Sequence, residues 1–216
     1  MKSWSLLLAL SVLTFTVDCG KSEVDEKPAA EVAAPSVVST TQPAIAGVPS
    51  KVIKEKSSIN FVAAKVTRDH KGKFKDFDGT IEYVGGKPSR ITFDIDLNSI
   101  ETDTEKLTAH LKTPDFFDVA KYPKATFTST SLTEADASSP VGTTHILRGT
   151  LDLHGVKKDV TIPVKATVKP DSVQTTSEFT INRHDWAIDY KGMADDLIKD
   201  DVLIKLNLVF PPPPSA

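Results

Sequence analysis

Apolar and polar residues alternate with period two along most of the chain. That is the mark of strands with one buried and one wet face. In residues 89–98, Ile91, Phe93, Ile95 and Leu97 point one way and Thr92, Asp94, Asp96 and Asn98 the other. Val202, Ile204, Leu206, Leu208 and Phe210 form a second stripe, opposite Lys205 and Asn207. Val160, Ile162, Val164, Ala166 and Val168 form a third, and Leu147, Leu151 and Leu153 a fourth. Weaker runs at 58–66 (Ile59, Phe61, Ala63), 73–83 (Phe74, Ile81, Tyr83), 124–133 (Ala125, Phe127, Leu132) and 173–182 (Phe179, Ile181) bring the expected strands to eight. Gly85-Gly86, His154-Gly155 and Lys169-Pro170-Asp171 are turn signals between them. Pro163 cannot donate to a ladder, so it marks an edge, a bulge or a seam.

Residues 104–113, TEKLTAHLKT, break the alternation. Leu107 and Leu111 lie one helical turn apart, Thr102 or Thr104 can cap, and Pro114 stops the helix. A second irregular stretch, 183–200, carries His184, Trp186, Tyr190 and Met193. One-faced strands stack as a sandwich or close into a barrel. Eight strands in up-and-down succession point to closure, which removes exposed edges. The expected fold is therefore all-β, an eight-stranded antiparallel barrel with one short helix between strands 3 and 4. Such a barrel is wide enough either to fill with side chains or to hold one slender ligand. Alternation does not decide between the two. Small residues on the expected inner face, Ala63, Ala125, Ser129 and Gly149, favour space.

The ends read differently. Residues 6–17 are an apolar run behind Lys2, too short to span a bilayer, and fit an export signal over 1–19. Cys19, the single cysteine, sits where such a signal ends. Two readings stay open: lipidation of Cys19 as a membrane tether, or plain secretion. Asp18, directly before the cysteine, opposes the first, and the spacer that follows favours it. Residues 20–56 are rich in Ala, Pro, Ser, Thr and Glu without an amphipathic period, and are expected to form a disordered linker. The barrel domain is expected over 57–210, with a stiff polyproline tail at 211–216. One cysteine excludes an internal disulfide. The net charge of -3, with both signs scattered, argues against a nucleic-acid partner.

Catalytic and metal chemistry finds no support in the spacing. The histidines at 70, 110, 145, 154 and 184 share no metal-ligand spacing. Asp195, Asp196, Asp200 and Asp201 lack the glycine and terminal Glu of an EF-hand loop, and read as a solvated loop. Glu101 and Asp103 read as partners of the helix start, and His154 as a residue bonding its own tight hairpin. There is no GxSxG, no Walker loop and no Cys–His pairing. The chain is expected to be no enzyme and to need no cofactor or metal.

The run HLKTPDFFDVAKYPKATF at 110–127 is distinctive. It resembles the HLxSxDFFDxxKYPxxxF signature of the YceI-like family of polyisoprenoid-binding proteins. GKF at 72–74 with DGTI at 78–81, NSIET at 98–102, GTLDLHGVKK at 149–158 and RHDW at 183–186 resemble further family blocks, in the same order. The resemblance spans the whole domain. It departs at Asp185-Trp186-Ala187, where the family often has Asp-Phe-Gly, and in a longer turn at 134–144.

The resemblance implies an extended lipocalin-like β-barrel around an apolar tunnel, in a family whose members hold isoprenoid chains such as quinone tails or polyprenyl phosphates and are commonly periplasmic. On that reading Phe61, Phe74, Ile91, Phe93, Ile95, Phe116, Phe117, Phe127, Leu151, Val164 and Phe179 line the tunnel. Lys121, Tyr122, Arg183 and His184 stand as candidates for a polar head group at the rim. The expected function is carriage of an isoprenoid or other long-chain lipid outside the cytoplasm, in the periplasm, with Cys19 as a membrane tether if lipidated. The alternative is a filled barrel acting as a structural or interaction module at the envelope.

Overall fold

The computed structural model describes residues 22–36, 47–65, 67–193 and 196–214. The apolar leader and Cys19 lie outside them. The described residues form thirteen strands and one α-helix. In chain order the strands are β1 (Glu31–Ala33), β2 (Val48–Lys51), β3 (Ser58–Lys65), β4 (Asp69–Phe74), β5 (Phe77–Val84), β6 (Lys87–Asp96) and β7 (Ile100–Thr102). After the helix α1 (Glu105–Leu111) come β8 (Lys124–Glu134), β9 (His145–Leu153), β10 (Val156–Lys169), β11 (Ser172–Asn182), β12 (Gly192–Met193) and β13 (Asp196–Phe210).

The larger count hides eight passes. β2–β3, β4–β5 and β6–β7 are each one long strand broken by a bend. At the last bend the Asp96 carboxylate accepts from the Asn98 amide at 2.9 Å and the Ser99 hydroxyl donates to the Asp96 carbonyl at 2.6 Å. This local bonding turns the chain through Leu97–Ser99 before β7 pairs with β4. All pairings along the wall are antiparallel, and β13 returns to pair with β3, so the circuit closes into an eight-pass barrel. Helix α1 lies between the third and fourth passes. Thr104 caps it, accepting from the Leu107 amide at 3.3 Å.

Up-and-down succession fixes what gathers at each end. The β3–β4 turn, α1, the β9–β10 turn and residues 183–193 share one end. The β5–β6 turn, the 135–144 loop, the β10–β11 turn and the tail share the other. The tight turn at His154-Gly155 uses two left-handed residues, with φ of 52° and 74°.

Pro163 marks a seam. β10 pairs with β9 over 156–164, but with β11 only over 165–169. Beyond that point β10 and β11 part, and a segment expected to be disordered fills the gap. β1 pairs with β10, placing Val32 opposite Val160, while Ala29 bridges to Thr180 of β11. The Ala30 amide donates to the Thr180 carbonyl at 2.8 Å, and the Thr180 amide to the Pro28 carbonyl at 2.9 Å. Residues 47–56 are also ordered: β2 pairs with β5, and a 3-10 turn at Lys54–Lys56 leads into β3. The linker expectation at 22–36 and 47–56 is corrected on this ground. These short stretches have little apolar surface of their own, and backbone groups left unpaired by the barrel hold them.

Upstream of the seam, residues 22–28 cross the outside of the barrel. Val62, Ala64 and Leu203 point outward, out of phase with the inner stripes, yet are buried, with Val24 packed on them. Exposed ion pairs flank this contact. Glu23 meets Lys71 and Lys205, Asp25 meets Lys199, and Lys27 meets Glu178. Hydrogen bonds from Lys205 and then Lys71 hold the Glu23 carboxyl at about 2. Ser22–Ser36 thus forms a strap docked on the barrel.

Candidate ligand-binding cavity

The bore is hollow. A cavity of about 460 Å³ runs from one end of the barrel to the other, a size typical of small-molecule pockets. Its lining is almost wholly apolar, with side chains from every pass. All eleven tunnel positions read from the sequence line it. Phe93, Ile95, Leu151 and Val164 keep part of their surface accessible although they point inward, because they face space.

The aromatic rings stay out of that space by lying on the wall. Phe61 stands opposite Gly72, and Phe93 opposite Gly79. A Cβ at Gly72 would come within 2.2 Å of the Phe61 ring, and one at Gly79 within 2.3 Å of the Phe93 ring. The Phe127 ring covers Gly149 in the same way, 2.4 Å from where a Cβ would be. Gly149 therefore supplies room for a ring and not an opening. Ser129 supplies none either: its hydroxyl accepts from the Ile91 amide at 2.8 Å beside a bulge in β8. Of the four small residues, Ala63 and Ala125 border the cavity.

One end is closed. Leu97, Leu111 and Phe116 plug it, with Phe74 edge-on to Phe117 at 6.1 Å between ring centres. Behind them Trp186 is fully buried, its indole donating to the Leu151 carbonyl at 3.3 Å. His154 bonds the Trp186 carbonyl at 3.1 Å through Nδ1, so it ties two loops together and does not serve its own hairpin. Glu101 and Asp103 likewise serve strand neighbours more than the helix: Glu101 meets Lys73 and Lys75, and Asp103 meets His70 at 3.0 Å.

The head-group candidates sit at this closed end. Lys121, Tyr122 and His184 do not line the cavity. Tyr122 packs on the His154 ring at 4.7 Å, with Lys121 over its face. His184 is held between Asp189 at 2.6 Å and Asp200 at 2.8 Å, which raises its pKa. Arg183 does reach the cavity, yet it is 5 % exposed and already donates to the carbonyls of Ile188 at 2.6 Å and Lys199 at 3.2 Å. Burial lowers its pKa from the ordinary value, and Asp200 opposes that shift. The arrangement secures the 183–190 loop. Adjacency in the family-like block drew attention to these residues, but their side chains turn into loop packing.

The mouth lies at the opposite end. Val168 lines the cavity while 69 % exposed, and Pro88, also exposed, lines it from β6. His145, Thr175 and Pro213 also line this end. His145 bonds Thr144 at 2.8 Å through Nδ1, and its Nε2 has no hydrogen-bond partner among the described residues. Val168 already ends the third stripe read from the sequence, and extending the fourth stripe by two residues would have found His145. Nothing periodic in the tail announces Pro213.

Comparison with known proteins agrees with this architecture. The YceI-like domain model matches residues 51–210. Protein YceI of Salmonella arizonae is 40% identical over 96 residues, which is 44% of this chain and 47% of that protein. Protein YceI of Salmonella paratyphi B matches to the same extent. The alignment thus spans about half the length of these relatives. Among solved structures, Burkholderia cenocepacia BcnA has a TM-score of 0.64 at 23% identity, over 73% of this chain and 98% of its own. A polyisoprenoid binding domain from Saccharophagus degradans has a TM-score of 0.59 at 23% identity, over 77% and 99%. At that identity the likeness is one of fold, a lipocalin-like β-barrel. The match over three quarters of the sequence, on a barrel of eight antiparallel passes with one helix between the third and fourth, places the chain in the YceI-like domain family.

Proposed function

We propose that this protein binds a long apolar lipid of isoprenoid type, a quinone tail or a polyprenyl phosphate, and carries it outside the cytoplasm. The observation that carries the reading is the cavity, which is hollow, apolar and as long as the barrel. Each Å² of chain surface withdrawn from water there contributes about 25 cal/mol before ordering costs. The polyisoprenoid-binding description of the Saccharophagus degradans relative supports the same ligand class. The open bore gives the filled-barrel alternative no ground.

The head group stays at the mouth. His145 Nε2 is free there to meet a hydroxyl, a carbonyl or a phosphate, whereas Arg183 at the closed end is occupied. The chemistry is that of a binder. On this reading the leader over 1–19 exports the protein, and Cys19, when lipidated, tethers it to a membrane.

Solvent extraction of protein purified from its host, followed by mass spectrometry, tests the reading. An isoprenoid lipid near one per chain is the expected result. A protein that copurifies with no lipid, and takes up neither a long-chain quinone nor a polyprenyl phosphate when offered, is no carrier.

A further inference from the structure

The strap fixes where the chain enters the barrel. Ser22 bonds Asp69, the first residue of β4, with its hydroxyl 2.9 Å from the carboxylate. The β3–β4 turn belongs to the closed end, so the chain enters the barrel there. From Ser22 the strap is held by Val24 on the outer apolar patch, by the ion pairs of Glu23, Asp25 and Lys27, and by the β1 ladder in the seam. At its far side the Ser36 amide donates to Asp159 at 2.7 Å. Thr180 points outward from β11 yet is 3 % exposed, because the strap covers it. The strap precedes the residues matched by the family model, 51–210, so the attachment lies outside the matched domain.

We propose that the docked strap presents the closed end of the barrel to the lipid bilayer and holds the mouth away from it. The inference rests on the tether in the function proposed above. From Cys19 to Ser22 the leash is three residues, at most about 10 Å. The mouth lies a strand away from the closed end, about 30 Å along the nine residues of β9, and strand tilt leaves it well beyond that leash. Were residues 20–47 a free linker, 28 residues could reach about 100 Å, and no face would be preferred. The partner of the closed end is thus a bilayer surface. The cavity opens toward the aqueous side, where its lipid passes to or from something other than the anchoring membrane.

The test uses the full chain, recovered in membranes and reconstituted into phosphatidylcholine vesicles carrying a nitroxide lipid. A fluorophore is placed on Arg68→Cys, in the β3–β4 turn, or on Val141→Cys, a fully exposed position in the loop at the mouth. With the native leash, quenching at 68 should exceed that at 141 at least about threefold. Inserting about twenty Gly/Ser residues after Gly20 adds roughly 25 Å of slack without touching the strap, and should bring the two sites close to equal. Equal quenching with the native leash, or stronger quenching at 141, overturns the proposal. So does a difference that survives the insertion. A wild type found only in the soluble fraction removes the tether and the orientation together, and leaves lipid carriage to the extraction experiment.

Discussion

The ring of Phe93 covers Gly79 on the neighbouring strand, so close that a Cβ at position 79 would stand 2.3 Å from it. Phe61 over Gly72 and Phe127 over Gly149 repeat the arrangement on other parts of the wall. Each glycine removes the side chain that would otherwise tip a ring into the bore. The interior can therefore be aromatic and hollow at once, because its bulk is spread on the wall.

Adding a methyl group to these glycines should destabilise in a graded way. At Gly149 the new Cβ meets the Thr128 carbonyl oxygen at 2.5 Å as well as the Phe127 ring. Backbone cannot swing aside, so Gly149→Ala should cost about 1–3 kcal/mol in urea unfolding of lipid-free protein. At Gly79 every close contact is with the Phe93 ring. Gly79→Ala should cost less, and adding Phe93→Leu should return most of the loss, as a double-mutant cycle would show.

Narrowing the bore separates ligand space from packing. Ile95 lines the cavity and is half-buried, so a larger side chain has room to enter. Ile95→Trp should sharply reduce the lipid retained after purification. The melting temperature of the delipidated variant should stay close to wild type, compared without ligand because a bound lipid itself raises it. A large fall in that temperature would mean that the site is packed and not hollow.

Ala187 ends the 3-10 turn in the left-handed conformation, at φ 55° and ψ 33°. A non-glycine residue is strained there, which is the reason a glycine suits the equivalent place in the family-like block. Ala187→Gly should stabilise the protein by about 0.5–1 kcal/mol, the relief of strain less the extra freedom of the unfolded chain. A raised urea midpoint with an unchanged m-value is the readout.

His184 introduces a pH dependence of known sign. Its hydrogen bonds to Asp189 and Asp200 raise its folded pKa above the ordinary 6.5. Its stabilisation is therefore complete below the unfolded value and lost as pH rises through the folded one. Stability should decline as pH rises above the ordinary histidine value, and His184→Asn should flatten that slope. The ring is partly exposed, so the effect is small; equal slopes in both proteins would exclude it.

The stripes, the helix and the inward set of phenylalanines were legible in the chain, because pleat and helical turn impose periods that survive without knowledge of neighbours. The strap was not. Its traces were Val62, Ala64 and Leu203, apolar residues on the wrong phase of otherwise regular strands, which only make sense once Val24 covers them. Pro163 announced a seam but not its occupant. Residues 29–33 are too short to show a period of their own, and their place depends on ladder groups that β10 and β11 leave open.

By itself, then, the amino-acid order determined that this chain closes a barrel of one-faced strands, with a single helix, around an apolar interior. Whether that interior is empty was decided by register. Phe93 clears the bore because Gly79 stands opposite it, and that pairing joins residues with no local signal between them. The same holds for the head-group candidates. Sequence adjacency placed Lys121, Tyr122 and His184 near the helix and loop, but the direction of each pass put them at the closed end and His145 at the mouth. Periodicity is a local property of the backbone, whereas register, seams and the two ends of a barrel exist only once distant strands have paired.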